Sequence, residues 1–124
     1  MANTPLTKTF TVLSRTAPYG SVRPHLCLDI ALAAAVFEQQ VNYVFLNDGV
    51  YQLLNKQDGA AIETKTIGKA LGTLNLYGID NVYVCKDSLS LRQLEVADLV
   101  LPATLIGAGE LHEMLDNTDC VFNF

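Results

Sequence analysis

Basic residues are scarce. Eight lysines and arginines stand against thirteen aspartates and glutamates in 124 residues, for a net charge of −5 and a pI near 4.7. A duplex binder displaces counterions with clustered cations, and here the few cations are scattered, so direct nucleic-acid binding is not expected. Histidine is limited to His25 and His112. The cysteines Cys27, Cys85 and Cys120 form no CxxC pair, so no zinc-ligand spacing is present and neither metal nor cofactor is expected. Long apolar runs are missing too. Ala31–Phe37 and Leu99–Ala103 fall far short of a membrane span. The opening MANTPLTKTF has no apolar stretch followed by a small-residue cleavage site, which places the expected location in the cytoplasm. In that reducing compartment an odd number of cysteines points to free thiols, and Cys27 and Cys120 read as small hydrophobes.

What is present suits one globular domain over residues 1–124. Half of the residues are hydrophobic and 17% are charged, enough for a single core without disulfide or metal staples. Lys8–Ser14 reads as a first strand. The loop RTAPYGSVRP precedes a helix whose Leu26, Ile30, Ala33, Ala34 and Phe37 recur at helical spacing. Val41–Leu46 is a second, nearly all-apolar strand. Asn47-Asp48-Gly49 ends it, with Asp48 expected to cap a short helix at Val50–Leu54, and Asn55–Gly59 is a polar loop. A helix is expected over Thr66–Tyr77 with Gly78 as its stop, then a strand at Asn81–Cys85 and a short helix at Ser88–Gln93. Asp98–Ala103 reads as a fourth strand, Ile106–Leu115 as a last helix capped by Gly107 or Thr104, and Cys120–Phe124 as a last strand. This alternation predicts a flavodoxin-like α/β domain: a mostly parallel five-stranded sheet with helices on both faces. Sites in such sheets lie beyond the carboxyl ends of the strands. Three segments fall there: Arg15–Arg23, Asn47-Asp48-Gly49 and Cys85–Ser88.

Each segment has a functional and a structural interpretation. Helix starts and neighbouring cations favour thiolates, and Cys85 has Lys86 beside it and a helical stretch after it. Strand alternation equally allows Cys85 to turn into the core. The first loop has one glycine, Gly20, and Pro18 removes a backbone donor, so it reads as an ordered interface loop more readily than as a phosphate cradle. Arg15 and Arg23 would pair either with an anion or with surface carboxylates. Asp48 lacks the acidic companions of a phospho-acceptor and reads as a turn residue. Ser14, Ser88 and Ser90 have no glycine elbow around them, which excludes a serine hydrolase of that type. His112, among Glu110, Glu113 and Asp116, reads as part of a solvated face. A small-molecule module taking a flavin or nucleotide at the first loop is the alternative from another functional class.

The segments RTAPYG, FLNDGVYQLL and YGIDNVYVCKDSL, with the terminal DCVFNF, together resemble the DsrE/DsrF-like sulfur-relay family, in particular its TusC/DsrF subunit type. The resemblance implies a heterohexamer with TusB/DsrH-like and TusD/DsrE-like subunits. That complex relays persulfide sulfur either toward 2-thiolation of the tRNA wobble uridine or in oxidation of stored sulfur. The main sulfur acceptor of such complexes belongs to the TusD/DsrE type, after its third strand. Cys85 occupies the corresponding place here as a candidate persulfide carrier, with Lys86 as thiolate stabiliser, in a subunit type that is auxiliary. Arg15, Tyr19, Gly20, Asp48, Gly49 and Ser88 are the loop and interface candidates. Self-association into a homo-oligomer is left open for the chain made alone. The family often carries an Arg-Gly pair in the stretch SLSLRQL, and this chain has Arg92-Gln93.

Overall fold

Threonines alternating with apolar residues at Thr9–Ser14 form β1. In the computed structural model, which describes residues 7–18, 20–54, 70–99 and 101–124, α1 then spans Arg23–Val36, β2 Gln40–Phe45 and β3 Asn81–Cys85. The chain continues with α2 at Lys86–Leu91, β4 at Thr104–Ile106, α3 at Ala108–Asp116 and β5 at Cys120–Asn123. Short 3-10 helices occupy Asn47–Leu53, Leu74–Tyr77 and Val96–Asp98. Tyr19, the Asn55–Gly59 loop and the first part of the Thr66–Tyr77 helix lie outside the described residues. The described remainder is not one helix: residues 70–71 are helical, a turn follows, and Leu74–Tyr77 is a separate 3-10 helix that stops at Gly78, φ +83°, with Leu71 and Leu74 buried. Among the described residues no helix is long and apolar enough to cross a membrane.

The five strands form one sheet in the order β4-β3-β2-β1-β5, and every neighbouring pair is parallel. The α/β class is as expected; a flavodoxin-type sheet has β2 at the edge beside β1, and here β5 takes that place. Steps from β1 to β4 all run one way, so right-handed crossovers put their connections on one face. The step from β4 back to β5 runs the other way and carries α3 across the second face. Burial follows this division. Val12, Tyr43, Phe45, Val82 and Val84 join the α1 residues Cys27, Leu28, Ala31 and Ala34 in the main core. Their neighbours Leu13, Val44 and Ile106 are buried on the opposite face.

Three expectations are corrected. The inward side of α1 is Pro24, Cys27, Leu28, Ala31 and Ala34; of the expected stripe Leu26, Ile30, Ala33, Ala34 and Phe37, only Ala34 is buried, with Ile30 partly buried against the core. Leu26 and Phe37 are 46% and 75% exposed. An alanine-rich helix offers apolar stripes on more than one side, and the smaller side chains let α1 approach the sheet closely. The fourth strand is not Asp98–Ala103 but Thr104–Ile106. Asp98 closes a 3-10 turn, Leu99 makes an isolated antiparallel bridge to Leu54, and Pro102 has no N–H to give a ladder. Ile106 therefore belongs to β4, and the last helix begins two residues later with Gly107 as its cap. Its first turn is closed by Gly107 N–H donating to Glu110 Oε1 at 3.1 Å.

Candidate functional site: the carboxyl rim of the sheet

Parallel register brings Ser14 of β1 beside Phe45 of β2, and Phe45 beside Val84 of β3. The loops that follow are consequently neighbours, and they interlock around Asn47. Leu46 N–H donates to Ser14 O at 3.1 Å. Asn47 takes a left-handed conformation, φ +53°, and its N–H donates to the buried Ser88 Oγ at 2.8 Å. With the Asn47 amide oxygen turned toward Arg15, it accepts from Arg15 Nε and Nη2 at 2.9 and 3.2 Å. Gly49 lies against β1 so closely that a Cβ there would land on the Ser14 carbonyl. Gln52 is fully buried and donates from Nε2 to Ser14 Oγ and Thr16 O, both at 2.8 Å. Thr16 and Arg15 in turn bond Phe124 O, tying β5 to the same rim.

Asp48 is no cap. The 3-10 helix Asn47–Leu53 has no side-chain cap, and Asp48 lies within it. Its Oδ1 accepts instead from Arg92 Nε at 3.2 Å and Nη2 at 2.9 Å. Arg92 Nη1 also donates to Ser88 O at 3.1 Å, and its guanidinium lies over the Tyr51 ring, 5.9 Å from the centroid. Arg92 thus joins the loops after β2 and β3. The pair is partly solvated, so its own contribution is small, and its role is to hold the loops in register. The next residue, Gln93, sits at φ +56°, in the left-handed region that favours glycine. Gln93→Gly is expected to stabilise the fold by up to about 1 kcal/mol, the relief of left-handed strain exceeding glycine's entropy cost. Urea unfolding at neutral pH measures the gain.

Of the sequence candidates, Arg15, Asp48, Gly49 and Ser88 converge in this one network. Gly20, at φ +81°, makes a turn before α1. Cys85 ends β3 on the same face as Tyr83, beside Ile106 of β4, and is half-exposed. It is not sealed in the main core. Lys86 is exposed at the start of α2 and makes no ion pair among the described residues. Asn47, Gln52 and Arg92 enter the network without a local sequence signal that marks them as site residues. His112 faces Asp116 at 3.5 Å on the exposed side of α3, away from the rim. Among the described residues no group of His, Cys, Asp and Glu is placed to hold a metal.

Beneath the rim, Cys27 is fully buried near the hydroxyls of Tyr43 and Ser14. Burial pushes its thiol up to about 11, partly offset by those two hydroxyls. Burial also raises the Tyr43 phenol well above its ordinary range, with Cys27 adding to the effect. The Tyr43 hydroxyl has no hydrogen-bond partner at standard geometry, so its contact with the thiol is a weak one. The unfolded thiol ionises near 9.0, whereas the native thiol keeps its proton until about 11. Over that interval the unfolded chain binds fewer protons, so the stabilisation is complete below pH 9 and is lost as pH rises. The decline is expected to total roughly 2–3 kcal/mol, at about 1.4 kcal/mol per pH unit. Cys27→Ala should flatten the decline in alkaline urea titrations, though it lowers stability at neutral pH.

Comparison with known proteins gives this geometry a family. The DsrE/DsrF-like family model matches residues 8–124. The chain belongs to that family. A protein named "Protein TusC homolog" from Vibrio parahaemolyticus is 36% identical over 114 residues, 92% of this chain and 97% of that protein. "Intracellular sulfur oxidation protein DsrF" from Allochromatium vinosum is 35% identical over 131 residues, 94% of this chain and 96% of that protein. The crystal structure of the ychN protein from E. coli superposes with a TM-score of 0.76 at 20% identity, covering 95% of this chain and 100% of that one. That likeness shows the fold. As a DsrE/DsrF-like chain with TusC and DsrF relatives, this is a member of a sulfur-relay family.

Proposed function

We propose that this chain is the TusC/DsrF-type subunit of a cytoplasmic heterohexameric sulfur-relay complex, assembled with TusB/DsrH-like and TusD/DsrE-like subunits. In this reading it serves 2-thiolation of the tRNA wobble uridine and is auxiliary, not the principal sulfur carrier. The supporting observation is reciprocal, near full-length similarity to proteins named TusC homolog. Deleting the gene should abolish or sharply reduce 2-thiouridine in nuclease-digested tRNA, read by mass spectrometry. Unchanged 2-thiouridine would reject the tRNA role and leave the sulfur-oxidation role carried by the name of the DsrF relative.

A second reading makes the chain itself a carrier, favoured by the half-exposure of Cys85 at the rim. The Cys85 thiolate attacks the outer sulfur of a donor persulfide, R–S–SH. An S–S bond forms to Cys85, the donor S–S bond breaks, and R–S⁻ leaves with its electron pair. A partner thiolate then takes the outer sulfur from Cys85–S–SH in the same way. Lys86 stands near enough in sequence to offset the anion. Cys85→Ser restoring full 2-thiouridine to the deletion strain would remove this reading and retain the first.

A further inference from the structure

The sheet reverses direction at β1. Its neighbours are β2 on one side and β5 on the other, and the connections leaving β1 and entering β5 lie on opposite faces. Open parallel sheets form a crevice at such a point, outside the carboxyl ends of the strands, and ligands favour it. A cavity of about 340 Å³ occupies that place, walled by Arg15, Thr16, Arg23, Asn47, Asp48, Asn123 and Phe124. Its size is at the small end of ligand sites.

The wall carries two arginine side chains against the one carboxylate side chain of Asp48. Asp48 is engaged by Arg92. Arg15 is held by neutral oxygens: Asn47 through Nε and Nη2, and Asn123 Oδ1 through Nη1 at 3.4 Å. This fixes the guanidinium without neutralising it and leaves a further N–H on each of Nη1 and Nη2. Arg23 makes no side-chain bond and neither arginine makes an ion pair among the described residues. Arg23 also opens α1, whose first turn holds no acidic residue and no side-chain cap, so the positive end of that helix adds to the field. In a chain of net charge −5, two unpaired arginines facing one crevice are a local exception.

We infer that the β1/β5 crevice binds a small tetrahedral oxyanion, free or as the head of a small molecule, with Arg15 as the oriented donor and Arg23 as the second cation. The inference does not depend on sulfur transfer: the crevice opens between β1, β2 and β5, and Cys85 is not in its wall. A phosphate and a sulfur oxyanion share this chemistry, and the test separates them.

Calorimetric titration of the full chain with sodium phosphate, sulfate and thiosulfate, each against chloride at matched ionic strength, reads the site directly. Saturable one-to-one binding is expected for at least one of them, and the strongest of the three names the source. Arg15→Gln and Arg23→Gln should each weaken it by about tenfold, as loss of a charge-assisted contact requires. Arg23→Gln disturbs no side-chain bond in the fold, so a folded variant is assured by circular dichroism if Arg15→Gln is unstable. Lys8→Gln, an exposed cation outside the crevice, should bind as the parent does. No saturable binding of any of the three anions, or equal binding by Arg23→Gln and the parent, overturns the inference.

Discussion

Gly49→Ala is expected to destabilise the protein by about 3 kcal/mol or more, a large part of a typical domain's stability. The added methyl would meet the carbonyl of Ser14, and its carbon at 2.6 Å, both backbone atoms of a central strand. A flexible neighbour would yield; β1, hydrogen-bonded on both sides by β2 and β5, cannot. The 3-10 helix Asn47–Leu53 must therefore lift away from the end of β1. That movement breaks the Leu46-to-Ser14 bond and withdraws Gln52 and Val50 from the core. The melting temperature should fall by about 10 °C or more. Gly109→Ala is the matched control. Its Cβ would meet nothing within 4 Å, and it lies in α3, so alanine should stabilise by about 0.5–1 kcal/mol. A Gly49→Ala protein as stable as the parent would mean that the turn does not press on β1.

Gln52→Glu should have the second-largest effect, about 3 kcal/mol lost at neutral pH. The change is isosteric, so packing is preserved and hydrogen bonding alone is altered. Gln52 Nε2 donates to both Ser14 Oγ and Thr16 O. A carboxylate has no hydrogen to give Thr16 O, and it would be charged in a fully buried position with no cation bonded to it. Oε1 already lacks a partner, so the site offers the new charge no prepared donor. Burial raises the carboxyl pKa in the fold, so the neutral acid is favoured there. The deficit should therefore shrink as pH falls and the buried acid regains a proton to donate. Urea unfolding of parent and variant at neutral and mildly acid pH measures this difference; a deficit independent of pH would assign the loss to packing.

The two substitutions test the same structure from opposite sides. Gly49 allows the β2 turn to touch β1, and Gln52 fastens it there. Together they place Asn47 and Asp48 where Arg15 and Arg92 can reach them. That is how an ordinary parallel sheet comes to carry an ordered rim from loops far apart in sequence.

Local signals made part of this legible. β3 spans Asn81–Cys85 as the sequence predicted, because its apolar alternation is bounded by Gly78 before and polar helix-forming residues after. The rim was legible as well, since it follows from parallel connectivity. β4 lies beyond the apolar run Leu99–Leu101, which has a strand's composition but meets Pro102 where its ladder would run. The inward face of α1 is not legible in periodicity, because an alanine-rich helix offers more than one apolar side for the sheet to cover. The role of Asp48 was invisible for another reason. Its partner Arg92 is 44 residues away, and no local rule links a turn aspartate to an arginine beyond the next strand. The environment of Cys85 was undecidable from alternation alone; it follows from the register with β4 and from α3 covering that face only in part.

Native mass spectrometry of the tagged chain, purified gently from its own cells, tests the central claim most directly. Subunit membership predicts one dominant assembly holding two copies of this chain and two each of a TusB/DsrH-like and a TusD/DsrE-like protein. A lone monomer, or a homo-oligomer with neither sister protein, would contradict the account.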